Sequence, residues 1–120
     1  MKKSQSIINT QSVMKRMDGN QYFFKALYKI YPKQIKNYMQ DIQKALSNND
    51  LKQLALCSHS LESCLQAVGA ELCVDANKRL SRGLQTGEMN NITKSVNILK
   101  NEIDQFFSNI QKLGLLFDEL

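Results

Sequence analysis

The sequence CSHSLESCLQAVGA at residues 57–70 decides how this chain is organised, because it continues a helical pattern from Leu51 and ends it at Gly69. With about 100° of rotation per residue, one side of that helix is formed by Leu51, Leu54, Ser58, Leu61 and Leu65. The single histidine of the chain, His59, lies more than about 90° from the centre of this mostly apolar side. We therefore predict a helix over about 51–67 that buries the apolar side and exposes His59 to water.

Apolar residues also recur at helical spacing before and after this segment. Because the residue before a proline avoids helical geometry, one helix is predicted to end at Tyr31, and Pro32 is predicted to open the next. The polar residues 1–8 are expected to be frayed. The predicted helices span about 10–18, 20–30, 32–47, 51–67, 70–85 and 90–113. In the last of these, apolar residues alternate in steps of four and three, as in a bundle seam: Ile92, Val96, Leu99, Ile103, Phe106, Ile110 and Leu113.

The predicted fold class is all-α: a single domain over residues 1–120 that forms an antiparallel four-helix bundle, with one or two short additional N-terminal helices. A hydrophobic content of 42% and a charged content of 22% are ordinary for a globular domain. No apolar run is long enough for a membrane span, and Lys2 and Lys3 are not followed by the apolar stretch of a signal peptide. A soluble, cytoplasmic protein is therefore expected.

The 3 cysteines do not form a recognisable disulfide or metal framework. Cys57 and Cys64 would be about 10 Å apart on one helix, which is too far for a disulfide. The short CxxC spacing of zinc sites is missing. We expect part-buried free thiols in a reducing compartment and no metal site.

The formal charge of +5 suggests an acidic partner. Over about the first 36 residues the basic side chains are opposed by Asp18 alone. Nucleic acid is one possible partner, but no recognised nucleic-acid-binding signature is present and arginines are few. A charge run is usually a solvated face, and the specific alternative is a protein partner with an acidic pocket, because complementary fields speed the encounter of two proteins.

The chemistry open to His59 is limited by its neighbours. Cys57 points to another side of the helix, so the two do not form the thiol–imidazole pair of a hydrolase. A neutral imidazole can, however, accept a phosphoryl group from a partner that supplies the metal and the acidic site. Leu56 and Ser63 share the side of His59 and leave it approachable. From the geometry alone, a reactive imidazole and an incidental surface histidine both remain open.

Residues His59, Leu61, Gly69 and Ala70 stand at the spacing of a known signature. In these residues, and in features spread over about residues 10–113, the chain resembles the histidine-containing phosphotransfer (HPt) domains. The resemblance implies a four-helix bundle on which His59 is the phosphoacceptor. It further implies a phosphorelay between the aspartates of receiver domains, in a protein that is not itself an enzyme.

The same resemblance implies the partners: a response-regulator receiver domain, a hybrid sensor histidine kinase, or both, with neither nucleic acid nor membrane involved. The chain would act as a monomer without a cofactor or metal, the magnesium belonging to the receiver. The docking residues implied are Leu56, Glu62, Ser63 and Gln66. Glu62 and Ser63 depart from the family, which usually has lysine and glycine there. The alternative function is therefore an HPt-like binding module that docks a receiver or kinase without being phosphorylated.

Overall fold

The computed structural model describes residues 21–112, apart from the side chains of residues 21–25 and 27. This part of the chain forms four α-helices and contains no strand: α1 is Gln21–Ser47, α2 is Leu51–Ala67, α3 is Glu71–Thr86 and α4 is Met89–Lys112. The short helix predicted at about 10–18, the expected fraying of residues 1–8 and the predicted core residue Leu113 lie outside the described residues.

The helices form a closed ring in which each packs on the next. Contacts join α1 to α2, α2 to α3, α3 to α4, and α4 back to α1. The short connections at 48–50, 68–70 and 87–88 make consecutive helices antiparallel, since so few residues can only reverse the chain. The predicted all-α four-helix bundle is confirmed.

The connection between α1 and α2 is built from two helix caps. Asn49 lies in the left-handed region at φ 54°, and the next amide, of Asp50, donates back to the Ala45 carbonyl at 2.9 Å. Asp50 then begins α2, because its side chain accepts from the Gln53 amide at 3.1 Å. Caps of this kind satisfy groups that a helix end leaves without partners. They place the start of α2 where the sequence predicts it.

The predicted break at Tyr31 is wrong, because α1 runs through Pro32 without interruption. Pro32 itself is buried, and the core residues Tyr28 and Ile35 lie on either side of it. A proline inside a helix costs about 3 kcal/mol, whereas burying each large apolar side chain contributes about 1.5–3 kcal/mol. Two such residues offset the proline, provided the helix continues and keeps both on the same face.

The core lies on the inward faces of all four helices and contains most of the predicted apolar positions. On α4 every predicted core residue within the described range is buried: Ile92, Val96, Leu99, Ile103, Phe106 and Ile110. The three cysteines are free thiols and all are buried, more fully than the sequence suggests. Among helices of residues 21–112, none is both long and apolar enough to cross a membrane.

Because of Cys73, the bundle is expected to lose stability as the pH becomes alkaline. Burial raises the pKa of this thiol above its ordinary value of 9.0, and the Glu102 carboxylate raises it further. The unfolded chain therefore releases this proton at a lower pH than the folded chain does. Below pH 9 the thiol is protonated in both states. Above it, the free energy of unfolding is expected to fall by up to about 1.4 kcal/mol per pH unit on account of Cys73.

Urea unfolding of the wild type and Cys73→Ala, followed by circular dichroism at neutral and at alkaline pH, measures this contribution. All other ionisable groups are common to the two proteins, so the difference between their losses of stability isolates the thiol. The variant is expected to lose less stability on alkalinisation. Equal losses in the two proteins would show that Cys73 does not contribute.

Candidate functional site

The residues singled out by sequence lie along the outward side of α2. His59 is exposed, as predicted, and so are Ser63 and Gln66. Leu56 is 57% exposed, whereas the other leucines of this helix face or border the core. Glu62 is half-buried one turn after His59. The structure therefore places the imidazole beside an apolar side chain and a small one, on a face open to a partner.

His59 is free of polar contacts with the rest of the described chain. No hydrogen bond or ion pair joins its ring to another residue between 21 and 112. Cys57 is buried, and its sulfur accepts a hydrogen bond from the Gln53 side-chain amide at 3.5 Å. The thiol and the imidazole are therefore not paired. Within the described residues, no group of three or more His, Cys, Asp or Glu side chains is arranged to hold a metal ion.

The Glu62 carboxylate is engaged on the side away from His59. The Gln66 side-chain amide donates to Glu62 Oε2 at 3.3 Å, one turn further along α2. This contact holds the negative charge towards the C-terminal end of the helix. Two of the four residues whose docking role is expected from sequence, Glu62 and Gln66, are thus in contact with each other, and the imidazole makes no polar contact within the described residues.

The C-terminal end of α2 is anchored to α1 and turned sharply into α3. Gly69 lies in the left-handed region at φ 71°, where glycine avoids the steric penalty of a side chain. The amide of Ala70 donates to the Leu65 carbonyl at 3.0 Å, which completes a Schellman cap. The buried Tyr28 hydroxyl donates to the Val68 carbonyl at the same place. The helix that carries His59 is therefore fixed at both ends.

A buried polar pair holds the middle of α2 against α3. Ser58 Oγ donates to Asn77 Oδ1 at 2.8 Å, and Asn77 Nδ2 donates to the Ser58 carbonyl at 2.9 Å. Ser81 Oγ lies 3.4 Å from Ser58 Oγ. Sequence reasoning placed Ser58 on the buried side of α2 but missed Asn77. The signal was available, since Asn77 stands one turn after Cys73 and next to Ala76 on the apolar side of α3.

An exposed imidazole in this setting can act as a nucleophile or exchange protons with a bound partner. Within residues 21–112, neither an activating base nor an orienting group, as found around the nucleophile of a hydrolase, contacts it. Comparisons of the chain with protein-family models, with curated proteins and with solved structures found no match.

Proposed function

We propose that this protein is a histidine phosphotransfer protein in which His59 relays a phosphoryl group between receiver-domain aspartates. The observation that carries the proposal is an exposed imidazole that makes no polar contact with residues 21–112, on a helix anchored at its ends and middle. The resemblance of His59, Leu61, Gly69 and Ala70 to the HPt signature supports the same reaction. A relay needs a nucleophile that a second protein can reach, and this surface supplies one.

The transfer is a displacement at phosphorus. The unprotonated ring nitrogen of His59 supplies the electron pair of the new N–P bond. The bond from phosphorus to the receiver's aspartate oxygen breaks, and its electrons leave with the carboxylate. The other ring nitrogen keeps its proton or releases it to water. Charge on the phosphoryl oxygens is expected to be neutralised by magnesium on the receiver, so this chain needs only to position the imidazole.

The docking face proposed here combines one apolar contact with surrounding polar groups. Covering Leu56, which is 57% exposed, would remove the largest apolar side chain near His59 from water. Ser63 leaves room beside the imidazole. Exposed lysines on α1, Lys29 and Lys33 among them, complement a partner with an acidic pocket and would speed its encounter.

The test is phosphotransfer from a panel of receiver domains carrying labelled aspartyl phosphate. The wild-type protein is expected to gain label that is stable in alkali and lost in acid, as a phosphoramidate is. It should return that label to a second, unphosphorylated receiver. A wild type that gains no acid-labile phosphate from any active donor would contradict the proposal.

Glu62 is expected to tune the transfer rather than forbid it. A carboxylate one turn from a phosphoryl group repels it, but in water this repulsion is screened to about 1 kcal/mol or less. Glu62→Gln, which removes the repulsion, is therefore expected to raise the equilibrium phosphorylation of His59 by up to about fivefold, and Glu62→Lys, which replaces it with an attraction, by more. Both effects should shrink at high salt.

The measurement is the labelled fraction at equilibrium with one receiver at two salt concentrations. Asp104→Lys is the control for net charge, because it makes the same charge change on α4, which packs mainly on α3 and α1. It also breaks the exposed ion pair of Asp104 with Lys100, whose contribution to stability is small. A rise of the same size in the control would assign the effect to net charge. No change in Glu62→Lys would show that this carboxylate does not reach the phosphoryl group.

The second candidate function is a binding module that docks a receiver or kinase without phosphorylation. Glu62 favours it, because its carboxylate already supplies a negative charge beside the histidine. In that case receiver binding would be the same in the wild type and His59→Ala, and neither protein would take up phosphate. Binding measured by calorimetry alongside the transfer assay separates the two functions.

A further inference from the structure

The buried pair of Ser58 and Asn77 has a chemical pattern that packing alone does not require. Ser58 is 1% exposed and Asn77 0%. The carboxamide of Asn77 accepts a hydrogen bond from the Ser58 hydroxyl at 2.8 Å and donates one to the Ser58 carbonyl at 2.9 Å. Two apolar residues of the same shape would fill this space at similar stability. The polar pair therefore fixes the orientation of α2 relative to α3, which the apolar packing around it does not do by itself.

The carbonyl that accepts the hydrogen bond from Asn77 belongs to the peptide unit between Ser58 and His59. That unit is planar and rigid. A hydrogen bond to its oxygen therefore also restrains the orientation of the backbone nitrogen and Cα of His59, which lie in the same plane. The buried leucines of α2, Leu54, Leu61 and Leu65, pack into the core through apolar contacts, which are non-directional and therefore restrain rotation and sliding of the helix only through shape. Hydrogen bonds are directional and resist both.

We propose that Asn77 is a positioning residue for His59, holding α2 at one rotation and one axial register so that the imidazole is presented to the partner in a single direction. The inference rests on the proposed function and names a further residue for it. In-line transfer between two proteins depends on the placement of the nucleophile, and a displacement of about 1 Å can cost about 100-fold in rate. Asn77 itself does not touch the phosphoryl group.

The decisive variant replaces the pair with apolar residues of similar shape, Ser58→Ala with Asn77→Leu. Asn77→Ala alone leaves the buried Ser58 hydroxyl without its Asn77 partner and opens a cavity, so its loss of stability would obscure any effect on position. The double variant removes both buried polar side chains together, the carbonyl of residue 58 keeps its hydrogen bond within the helix, and the protein is expected to unfold at a urea concentration close to that of the wild type. A slower phosphotransfer rate in this variant then reflects a change in the position of His59, because the variant and the wild type are equally folded.

The double variant is expected to transfer phosphate about 10- to 100-fold more slowly than the wild type, with the Kd for the receiver changed less than about twofold. Relaxation dispersion of backbone amides should show new microsecond-to-millisecond exchange over residues 57–63, with no partner present. A transfer rate within about twofold of the wild-type rate would overturn the proposal. So would backbone amides that show no more microsecond-to-millisecond exchange than those of the wild type.

The amide measurement also distinguishes this inference from the proposed function. If the wild type accepts no phosphate from any receiver, the phosphotransfer function fails. New exchange confined to the double variant would then still support the restraint of His59 by Asn77, and its absence would count against that restraint.

Discussion

His59→Gln is expected to lose all acid-labile phosphorylation, a fall of at least about 1,000-fold, with almost no change in stability. No other described group on the outward side of α2 can replace the imidazole, because the hydroxyls of Ser60 and Ser63 lack an activating base. The side chain is exposed and makes no polar contact with the described residues. Substitutions at such surface positions usually change the free energy of unfolding by less than about 0.5 kcal/mol.

The measurement pairs the receiver assay with urea unfolding of the same samples. Ser63→Ala is the matched control: it changes an exposed residue of the same face and should keep transfer within a few-fold of wild type. Phosphoserine survives acid treatment, so label on a hydroxyl would be recognised by its stability. Acid-labile phosphate on His59→Gln would mean that the phosphoacceptor lies elsewhere in the chain.

The local features of α2 could be predicted from sequence because each has a short-range cause. Its start follows from the capping side chain of Asp50, and its end from the left-handed backbone of Gly69. The exposure of His59 follows from its angle to the apolar stripe. The ends of a helix and the face that it buries depend on residues one or two turns away in sequence. The sequence alone is therefore enough to predict them.

The path of the chain at Pro32 could not be predicted by the rule for residues before proline. That rule describes the local preference, and here the packing of α1 against the bundle outweighs it. One indication was present in the sequence. Tyr28, Ile35 and Met39 continue a single stripe across the proline, which two separately oriented helices would not need to do.

The contact between Ser58 and Asn77 depends on the packing angle and register of two helices, which periodicity does not specify. A buried asparagine can be inferred from the pattern of α3, but the partner that satisfies it cannot. The same limit applies to the hydrogen bond from Tyr28 to Val68, whose partners are 40 residues apart. Sequence therefore located the exposed imidazole, and the structure located the buried contacts that hold its helix against α1 and α3.

Phe106→Ala is expected to destabilise the bundle by about 3–5 kcal/mol. Phe106 is fully buried on α4, and deleting its ring leaves a cavity that the surrounding helices can close only in part. Domains of this size are stable by about 5–15 kcal/mol. The variant should therefore lose about a fifth or more of its stability, and its melting temperature should fall by roughly 10 °C or more. Urea unfolding at constant slope gives the free energy directly.

Phe107→Ala is the matched control, because it deletes the same ring at the next position. The two rings lie 5.6 Å apart between centroids at 50°, so either variant loses their mutual contact. Phe107 is only partly buried against the core, and its loss is expected to cost about 1–2 kcal/mol. The difference between the variants isolates the cavity at position 106, and equal losses would contradict its place in the core. Because α4 packs mainly on α3 and α1, Phe106→Ala should still transfer phosphate at low temperature, where it stays folded.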